Sequence, residues 1–425
     1  MTENSEIRIK ERSKSYFKYL ILVLMLVQII DSYATVFPGA IPSAIAAEFL
    51  SGKPVNVQNS IMALASGIVS IGMYFLFFSQ YLSDKFGRKK MLAVTVLGMA
   101  IASLGMFLSV NYIMYMVFIF FLSFFFSSDV WLIYINEEAK PNKRAMYSNI
   151  ILMAGLIGPI IMVISRFIFI TETEPFWRGM TFLPMIIGFP LFFIILFSLK
   201  ETSRYQMMKE SGTIKSRSFK EDIVSIFQTE NRKPYIMILL IVFIRGISGT
   251  AIGLFEKYIR DVGTLTQDQV SVVFLLTVFA VIIAYSMNGF LADRIGRKPL
   301  LYLWSFLAPT SVLTWVLGAH NTKYAFYLVL LGYSLTHIST WGAIGMIRLL
   351  TLEMLPTDRR GTGVGFRSLI GSIGGTVGLL LSSMVILIVG LGTTFIIFVM
   401  GNFIVIPLAY FFLKETKGVE LAEIK

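Results

Sequence analysis

Long apolar segments alternate with short polar segments along the whole chain. Most of the apolar segments run for roughly 20 residues or more, the length that a helix needs to cross the hydrocarbon core of a bilayer. The pattern predicts an all-α integral membrane protein with twelve transmembrane helices. The predicted spans are 19–47, 58–82, 91–110, 112–135, 146–170, 178–199, 235–258, 269–291, 299–319, 323–350, 362–390 and 393–413.

One polar loop between spans occurs twice. Residues 84–90 read DKFGRKK, and residues 293–299 read DRIGRKP. Each loop must reverse the chain within a few residues, so we expect Gly87 and Gly296 to supply the necessary backbone freedom. The aspartate of each loop follows a helix C-terminus, where the helix dipole disfavours a carboxylate. Each aspartate is therefore expected to have a partner, either the arginine of its own loop or the N-terminus of another helix.

Two further motifs are repeated. Residues 138–144 (EAKPNKR) resemble residues 353–360 (EMLPTDRR), 215 positions later, and residues 200–204 (KETSR) resemble residues 414–418 (KETKG), 214 positions later. The repeated polar loops lie 209 positions apart. Three paired motifs at nearly one offset indicate an internal duplication, which predicts two pseudo-symmetric six-helix bundles related by an axis along the membrane normal.

The duplication divides the chain into five parts. The long polar stretch between the sixth and seventh spans is the expected linker between the bundles. The predicted parts are a cytoplasmic tail (1–18), an N-terminal bundle (19–199), a cytoplasmic linker (200–234), a C-terminal bundle (235–413) and a cytoplasmic tail (414–425).

The positive charge of the chain is distributed unevenly. Of 37 lysine and arginine residues, 28 lie in the two tails or in predicted cytoplasmic loops, five lie in outer loops, and four lie within spans. This asymmetry predicts that both termini are cytoplasmic in a multi-pass protein of the plasma membrane. It also disfavours nucleic acid as the partner of a chain with a net charge of +12, because no basic domain is present.

The composition excludes several kinds of chemistry. The chain has no cysteine and two histidines, and only 15% of its residues are charged. No disulfide or thiolate site is possible, and no metal site, cofactor site or nucleophile–base pair is predicted. We therefore predict that the protein is not an enzyme.

The repeated D-x-x-G-R-[KR] loop resembles the signature loop of the major facilitator superfamily of secondary transporters. The Trp-Arg pair at 177–178, the E-x-x-P loops, the KETSR segment and the tail 415–421 (ETKGVEL) resemble the sugar-porter branch. Residues 31–35 (DSYAT) are similar to the DGYDT run of proton symporters for organic acids and sugars. Ser32 replaces the glycine of that run and Ala34 replaces its second aspartate, which puts the position of proton coupling in doubt.

The resemblance implies alternating access, with spans one, four, seven and ten lining the substrate path. An ionisable side chain at bilayer depth costs about 2.5–3.5 kcal/mol, so a retained one is expected to face a cavity or a partner. Each of the four path-lining spans carries one such residue. The predicted substrate and proton path is Asp31, Asp129, Arg245 and His337.

Asp31 and Arg245 lie 214 positions apart, at the offset of the repeats. They are therefore expected to approach each other across the central cavity, either directly or through substrate. The alternative is a permanent ion pair that only holds the bundles together. His337 is interpreted either as a proton carrier or as a satisfied core residue.

The repeated cytoplasmic loops are predicted to form a latch. Within each half, the repeated D-x-x-G-R-[KR] loop pairs with the E-x-x-P loop while the cytoplasmic side of the transporter is closed, and the two loops separate when that side opens. The predicted latch residues are Asp84, Gly87, Arg88, Glu138 and Arg144 in the first half and Asp293, Gly296, Arg297, Glu353 and Arg359 in the second half.

The sequence thus predicts a secondary transporter of a small polar metabolite, either an organic acid or a sugar. Protons are the predicted coupling ion, and the lipid bilayer and the small-molecule substrate are the predicted partners of a functional monomer. The alternatives are an exporter of amphiphilic compounds or drugs, and a non-transporting receptor with the same fold.

Overall fold

The computed structural model shows a helical chain. It describes residues 13–126, 130–140, 143–210, 224, 226–229, 231–356 and 360–417. Asp129 and Arg359 lie outside these ranges, and the side chain of Asp84 lies outside the described part as well. Within these ranges, paired extended backbone is limited to one isolated bridge between Ile170 and Pro175.

The first half of the chain, up to residue 210, contains eleven described helices. Short 3-10 turns connect several of them, as at 37–40 and 177–181. The helices are α1 (Lys14–Val36), α2 (Pro42–Phe49), α3 (Val55–Ser70), α4 (Phe75–Phe86), α5 (Arg88–Phe107), α6 (Tyr112–Phe126), α7 (Val130–Glu138), α8 (Arg144–Gly155), α9 (Ile157–Phe169), α10 (Phe182–Ser198) and α11 (Ser203–Glu210).

The second half, from residue 231 onwards, contains seven described helices, which are longer on average. The helices are α12 (Arg232–Gly249), α13 (Phe255–Val262), α14 (Gln267–Ile295), α15 (Arg297–Gly318), α16 (Ala325–Met354), α17 (Arg360–Val399) and α18 (Asn402–Phe412).

The helices make twelve passes. Ten segments in the described part of the chain are long and apolar enough to cross a membrane. One of them, Thr362–Phe412, contains two passes, because Gly390 (φ 78°) interrupts the helical backbone within α17. α16 has 30 residues and is about 45 Å long at ~1.5 Å per residue, which is long enough for one further pass. It brings the number of passes to twelve. The predicted number of passes is therefore confirmed.

The passes of the second half form a front row and a back row. α16 packs against α14 and α12, and α12 packs against α17, so the front row runs α14–α16–α12–α17. α15 and α18 lie behind this row and contact each other. The first half repeats the arrangement with α9, α1, α6 and α3 in front, and with α10 and α5 behind.

The two front rows meet at their edges. α9 packs against α14 at one edge, and α3 packs against α17 at the other. Within the described ranges, the middle helices α1 and α6 make no extensive contact with α12 and α16. The two six-helix bundles therefore enclose a central space between their middle helices.

The two ends of this central space differ. We call the end that carries Gly87 and Gly296 the loop end, and the opposite end the far end. At the far end, α13 packs against α2 and the turn at 37–40, and one apolar cluster includes residues of both bundles. At the loop end, the second bundle has apolar clusters of its own. The bundles are thus joined at the far end.

Small residues allow α12 and α17 to cross closely. A Cβ atom at Gly246 would lie 2.5 Å from the carbonyl oxygen of Gly371, and one at Gly374 would lie 2.3 Å from the carbonyl oxygen of Phe243. Such contacts are far too short for real atoms, so only glycine fits at these positions. The crossing fixes the distance between the two helices that form one side of the central space.

Candidate functional site

Three of the four predicted path residues are described, and each lies on a middle helix. Asp31 is on α1, Arg245 is on α12 and His337 is on α16, and all three are partly buried. Asp129, the fourth, falls between α6 and α7 and lies outside the described residues. The front-row arrangement therefore brings Asp31, Arg245 and His337 to the helices that border the central space.

Arg245 has a partner in its own bundle. Its Nη1 atom donates a hydrogen bond to Oδ1 of Asn402 at 2.8 Å. Asn402 begins α18, a helix of the back row. Asp31 and Arg245 form no ion pair in the described part of the chain, so the direct form of the predicted pair is not present in this structure. An approach through substrate stays a prediction.

His337 is satisfied within its own helix. Its Nδ1 atom lies 3.1 Å from the carbonyl oxygen of Tyr333, and the two rings make an edge contact with centroids 4.5 Å apart. With a proton on Nδ1, the imidazole donates to that carbonyl and leaves Nε2 as an acceptor. This geometry suits either a core residue or a site that accepts a proton at Nε2.

One face of α16 is more exposed than its other sides within the described part of the chain. His337, Trp341, Ile344 and Arg348 follow a spacing of four, three and four residues, which places them on one side of a helix. His337 is partly buried and the other three are exposed, whereas Gly342 and its neighbours on the other sides are buried. Because α14, α12 and α15 cover the other sides of α16, this face borders the central space.

A buried ion pair joins the two bundles at the far end. Nη2 of Arg166 on α9 lies 3.2 Å from Oε1 of Glu256 on α13, and neither side chain has any solvent exposure. Arg166 also donates to the carbonyl oxygen of Gln267 at 2.8 Å and to Oγ of Ser271 at 2.6 Å. The same guanidinium donates to the carbonyl oxygen of Ala40 at 3.0 Å.

The other oxygen of the Glu256 carboxylate faces the first bundle. The backbone N–H of Ser43 donates to Oε2 at 2.8 Å, and the Ser43 hydroxyl donates to Oε1. Every strong donor and acceptor of the pair is therefore satisfied by groups from both bundles, which is the condition for a stable buried ion pair.

Further polar contacts cross between the bundles at the far end. Nδ2 of Asn59 on α3 donates to Oδ2 of Asp261 on α13 at 3.0 Å. Arg260 forms an ion pair with Glu172 at 2.8 Å. Towards the loop end, the last such contacts in the described part of the chain involve Thr376 in the middle of α17, whose Oγ1 accepts from the Tyr74 hydroxyl at 2.7 Å. No described hydrogen bond joins the bundles in the loop-end half.

A charged network surrounds the first repeated loop. Nη2 of Arg88 lies 2.8 Å from Oε1 of Glu137, and both side chains are buried. The Thr202 hydroxyl donates to Oε2 of Glu137 at 2.6 Å. Glu201 accepts from the backbone N–H groups of Arg88 at 3.0 Å and of Lys89 at 3.1 Å. These N–H groups open α5, so the Glu201 carboxylate caps that helix and meets the positive end of its dipole.

The second repeated loop has the same network. Arg297 contacts Glu353 at 2.9 Å and Asp293 at 3.0 Å. Glu415 accepts from the backbone N–H groups of Arg297 at 2.9 Å and of Lys298 at 3.0 Å, and so caps α15. Burial alone would raise the pKa of Glu415, but these backbone donors outweigh it and hold the pKa below its usual value.

Glycine is required at both caps. Gly87 has φ 98° and Gly296 has φ 101°, a backbone conformation that residues with a side chain rarely adopt. A Cβ atom at Gly87 would lie 2.3 Å from Oε2 of Glu201, and one at Gly296 would lie 2.6 Å from Oε2 of Glu415. The glycines therefore allow a carboxylate to reach the helix N-terminus.

The predicted latch residues are only partly in these networks. In the first half, Arg88 pairs with Glu137 and not with Glu138, whose Oε1 accepts from the backbone N–H of Ser203. Arg144 donates to the carbonyl oxygen of Ala139 at 3.3 Å. In the second half the predicted contact of Arg297 with Glu353 is present. Each network lies within one half of the chain. In the loop-end half of the molecule, no described hydrogen bond joins the two bundles.

Sequence reasoning missed three acidic residues of these networks: Glu137, Glu201 and Glu415. A signal for two of them was present, because the Lys-Glu-Thr runs at 200–202 and 414–416 repeat at the offset of the duplication. Glu137 gave no such signal, since its neighbour occupies the repeated position.

The two-bundle fold and the arrangement of its charged loops define the class of protein. Two bundles that enclose a central space, are joined at one end, and carry paired charged loops at the other are the architecture of secondary transporters of the major facilitator superfamily. The chain belongs to this superfamily. Within it, residues 20–425 match the "Sugar (and other) transporter" family, and the chain is a member of that family.

Relatives in sequence are bacterial transport proteins. The chain is 24% identical over 372 residues to a Bacillus subtilis (strain 168) protein named as a niacin/nicotinamide transporter, NiaP, with 86% of this chain and 90% of that protein covered. It is 25% identical over 386 residues to YwtG of the same organism, named as a metabolite transport protein, with 81% of each chain covered.

Solved structures with the same fold are transporters as well. The inward open conformation of the xylose transporter XylE from E. coli superposes with a TM-score of 0.75 at 16% identity, covering 96% of this chain and 99% of that one. A crystal structure of a D-xylose-proton symporter gives 0.76 at 16% identity and the same coverage. Fold and relatives are those of membrane transporters and not of enzymes, and they do not favour a drug exporter or a receptor.

Proposed function

We propose that the protein moves a small polar metabolite, an organic acid or a sugar, across the membrane by alternating access coupled to protons. The central space borders Asp31, Arg245 and His337. Among the relatives, one is named for niacin or nicotinamide and others for xylose. These names cover one acid, one neutral amide and one sugar, which agrees with a small polar substrate.

One observation carries the mechanism. The polar contacts between bundles lie at the far end or in the middle, and the far-end contact between Arg166 and Glu256 is fully buried. A rotation that opens the far end must hydrate this pair, whereas the same rotation brings the loop-end halves together. The two states then expose the central space to opposite sides of the membrane, and substrate shifts their populations by its differential affinity.

Proton coupling is assigned to the middle helices. Asp31 and His337 supply a carboxyl group and an imidazole, which are both able to carry a proton, on the described helices that border the central space. Asp129 is a further candidate on the fourth span. Arg245 already contacts Asn402, so its proposed roles are to hold α12 against α18 and to contact substrate during the transport cycle.

We further propose that the protein lies in the plasma membrane with its loop end on the cytoplasmic side, and that it acts as a monomer. The proposed boundaries between its tails, bundles and linker lie at residues 19, 200, 235 and 414. The lysine and arginine residues at the loop end support the orientation. The loop-end networks are proposed to hold each bundle together as a rigid body during rocking, a revised form of the predicted latch.

The test is transport by purified protein in liposomes. Uptake of radiolabelled nicotinate, nicotinamide and xylose is measured with and without an imposed pH gradient. The proposal expects a gradient to drive accumulation of at least one of the three. Asp31→Asn should abolish the accumulation, while Asp268→Asn, a matched change of an exposed carboxylate on α14, should leave it intact. Equal accumulation with both variants contradicts the role of Asp31, and no uptake of any of the three contradicts the proposed substrates.

A further inference from the structure

Arg367 on α17 has an unused donor in a buried position. Its side chain is buried, with 9% exposure of the residue, and its Nη1 atom has no hydrogen-bond partner. Its Nη2 atom makes only a long contact of 3.3 Å with the hydroxyl of the adjacent Ser368. A guanidinium carries five donors, and leaving one buried without an acceptor is unfavourable. No group in the described part of the chain therefore accepts from this atom.

Arg348 on α16 lies close to this position. α16 ends at Met354 and α17, the next helix of the chain, begins at Arg360, and these two helices pack against each other. Arg348 is exposed and belongs to the face of α16 that borders the central space.

The two arginines lie at the same depth. Arg348 precedes the end of α16 at Met354 by six residues, and Arg367 follows the start of α17 at Arg360 by seven residues. At ~1.5 Å per residue, both are about 10 Å from the loop end of their helices. Neither forms an ion pair in the described part of the chain.

We propose that Arg348 and Arg367 form an anion-binding site at the loop-end mouth of the central space, which binds the carboxylate of a small organic acid. Two guanidinium groups at one depth offer several N–H donors to a planar carboxylate, which they bind with charge-assisted hydrogen bonds. The bound carboxylate satisfies Nη1 of Arg367 and offsets the positive charge of the two guanidinium groups. The inference rests on the proposed transport function and selects the acid over the neutral sugar as substrate class.

The test compares carboxylates with their uncharged amides. The melting temperature of the purified protein in detergent is measured at pH 7 against nicotinate and nicotinamide, benzoate and benzamide, and lactate and lactamide. Ligands that bind the folded state raise the melting temperature by mass action. We expect at least one carboxylate to stabilise the protein and its amide to have no effect. If no carboxylate stabilises the protein, or if each amide acts as its acid does, the site is refuted.

Variants assign the effect to the two residues. Arg367→Gln and Arg348→Gln should each weaken carboxylate binding by roughly 10- to 100-fold, the size of one charge-assisted contact. Arg367→Lys keeps the charge and should retain part of the affinity. Arg294→Gln, which removes an exposed arginine at the loop end, is the matched control and should bind as the parent does. Because Arg348 is exposed, its variant is expected to fold even if a change at Arg367 does not. Unchanged binding in Arg348→Gln overturns the proposal.

Two further measurements are needed. The first distinguishes a lipid headgroup from a soluble carboxylate as the bound anion, and the second distinguishes failure of the site from failure of the transport function. If phosphatidylglycerol in nanodiscs raises the melting temperature through Arg367 while no carboxylate solute does, the anion is a lipid headgroup and the proposal is wrong. Liposome uptake is measured on the same preparations. Arginine-dependent carboxylate binding without any uptake supports the site and contradicts the transport function, whereas xylose uptake without carboxylate binding does the reverse.

Discussion

Replacing Arg166 by methionine should open the far end of the transporter. Methionine has a similar length and no charge, so the change removes the ion pair and leaves the Glu256 carboxylate buried whenever the bundles meet at this end. Both side chains are fully buried in the closed form. In the open form water can solvate the carboxylate, so the substitution penalises only the closed form.

The size of the effect follows from the burial. Removing one partner of a buried ion pair costs about 3–5 kcal/mol. The serine contacts to Glu256 remain. We therefore expect a shift of roughly 3 kcal/mol towards the open form, a change of about 100-fold in the ratio of the two forms.

A distance measurement across the far end detects this shift. The chain contains no cysteine, so cysteines placed at Lys53 and Lys323 can carry the only spin labels. Both positions are exposed, one in each bundle. In pulsed electron–electron double resonance, the parent should show mainly the short distance of the closed far end. Arg166→Met should show mainly a longer distance.

The matched control is Arg178→Met. Arg178 pairs with Glu48 at 2.7 Å, also at the far end, but both residues belong to the first bundle and are partly exposed. This variant should keep the short distance. If Arg166→Met also keeps it, or if both variants change it equally, the buried pair does not hold the far end closed.

Three other outcomes follow from the structure. Gly296→Ala should lower the melting temperature, because φ 101° and the Glu415 carboxylate at 2.6 Å exclude a Cβ atom. Gly289→Ala, in open space within α14, the helix that ends just before Gly296, should not lower it; equal effects contradict the capping role. Glu415 has a lowered pKa, so its contribution is present above about pH 4.3 and is lost as the pH falls through the folded-state value; the difference in melting temperature between parent and Glu415→Gln should vanish on acidification. Gly246→Leu should prevent folding, measured as loss of the monodisperse peak in gel filtration, because its Cβ would lie 2.5 Å from the Gly371 carbonyl oxygen; a normally folded variant contradicts the close crossing.

The sequence alone determined the architecture of the protein. Apolar length fixes where helices cross a bilayer, because each crossing must satisfy its own backbone hydrogen bonds over a set thickness. The duplicated motifs predicted two bundles, and Gly87 and Gly296 marked the two points where the chain reverses between helices. All of these are local properties of a segment or comparisons between segments.

Only the tertiary structure decided which charged groups meet. Consecutive helical residues point about 100° apart, so the choice of Glu137 over Glu138 as the partner of Arg88 depends on how α7 is rotated against α5. Arg166 has the position of an interfacial residue in its own span, and the packing of α9 against the second bundle makes it a buried contact. Arg245 likewise meets Asn402 because α18 lies behind α12. Hydropathy does not encode such rotations and contacts, since they arise from the packing of helices that are far apart in the chain.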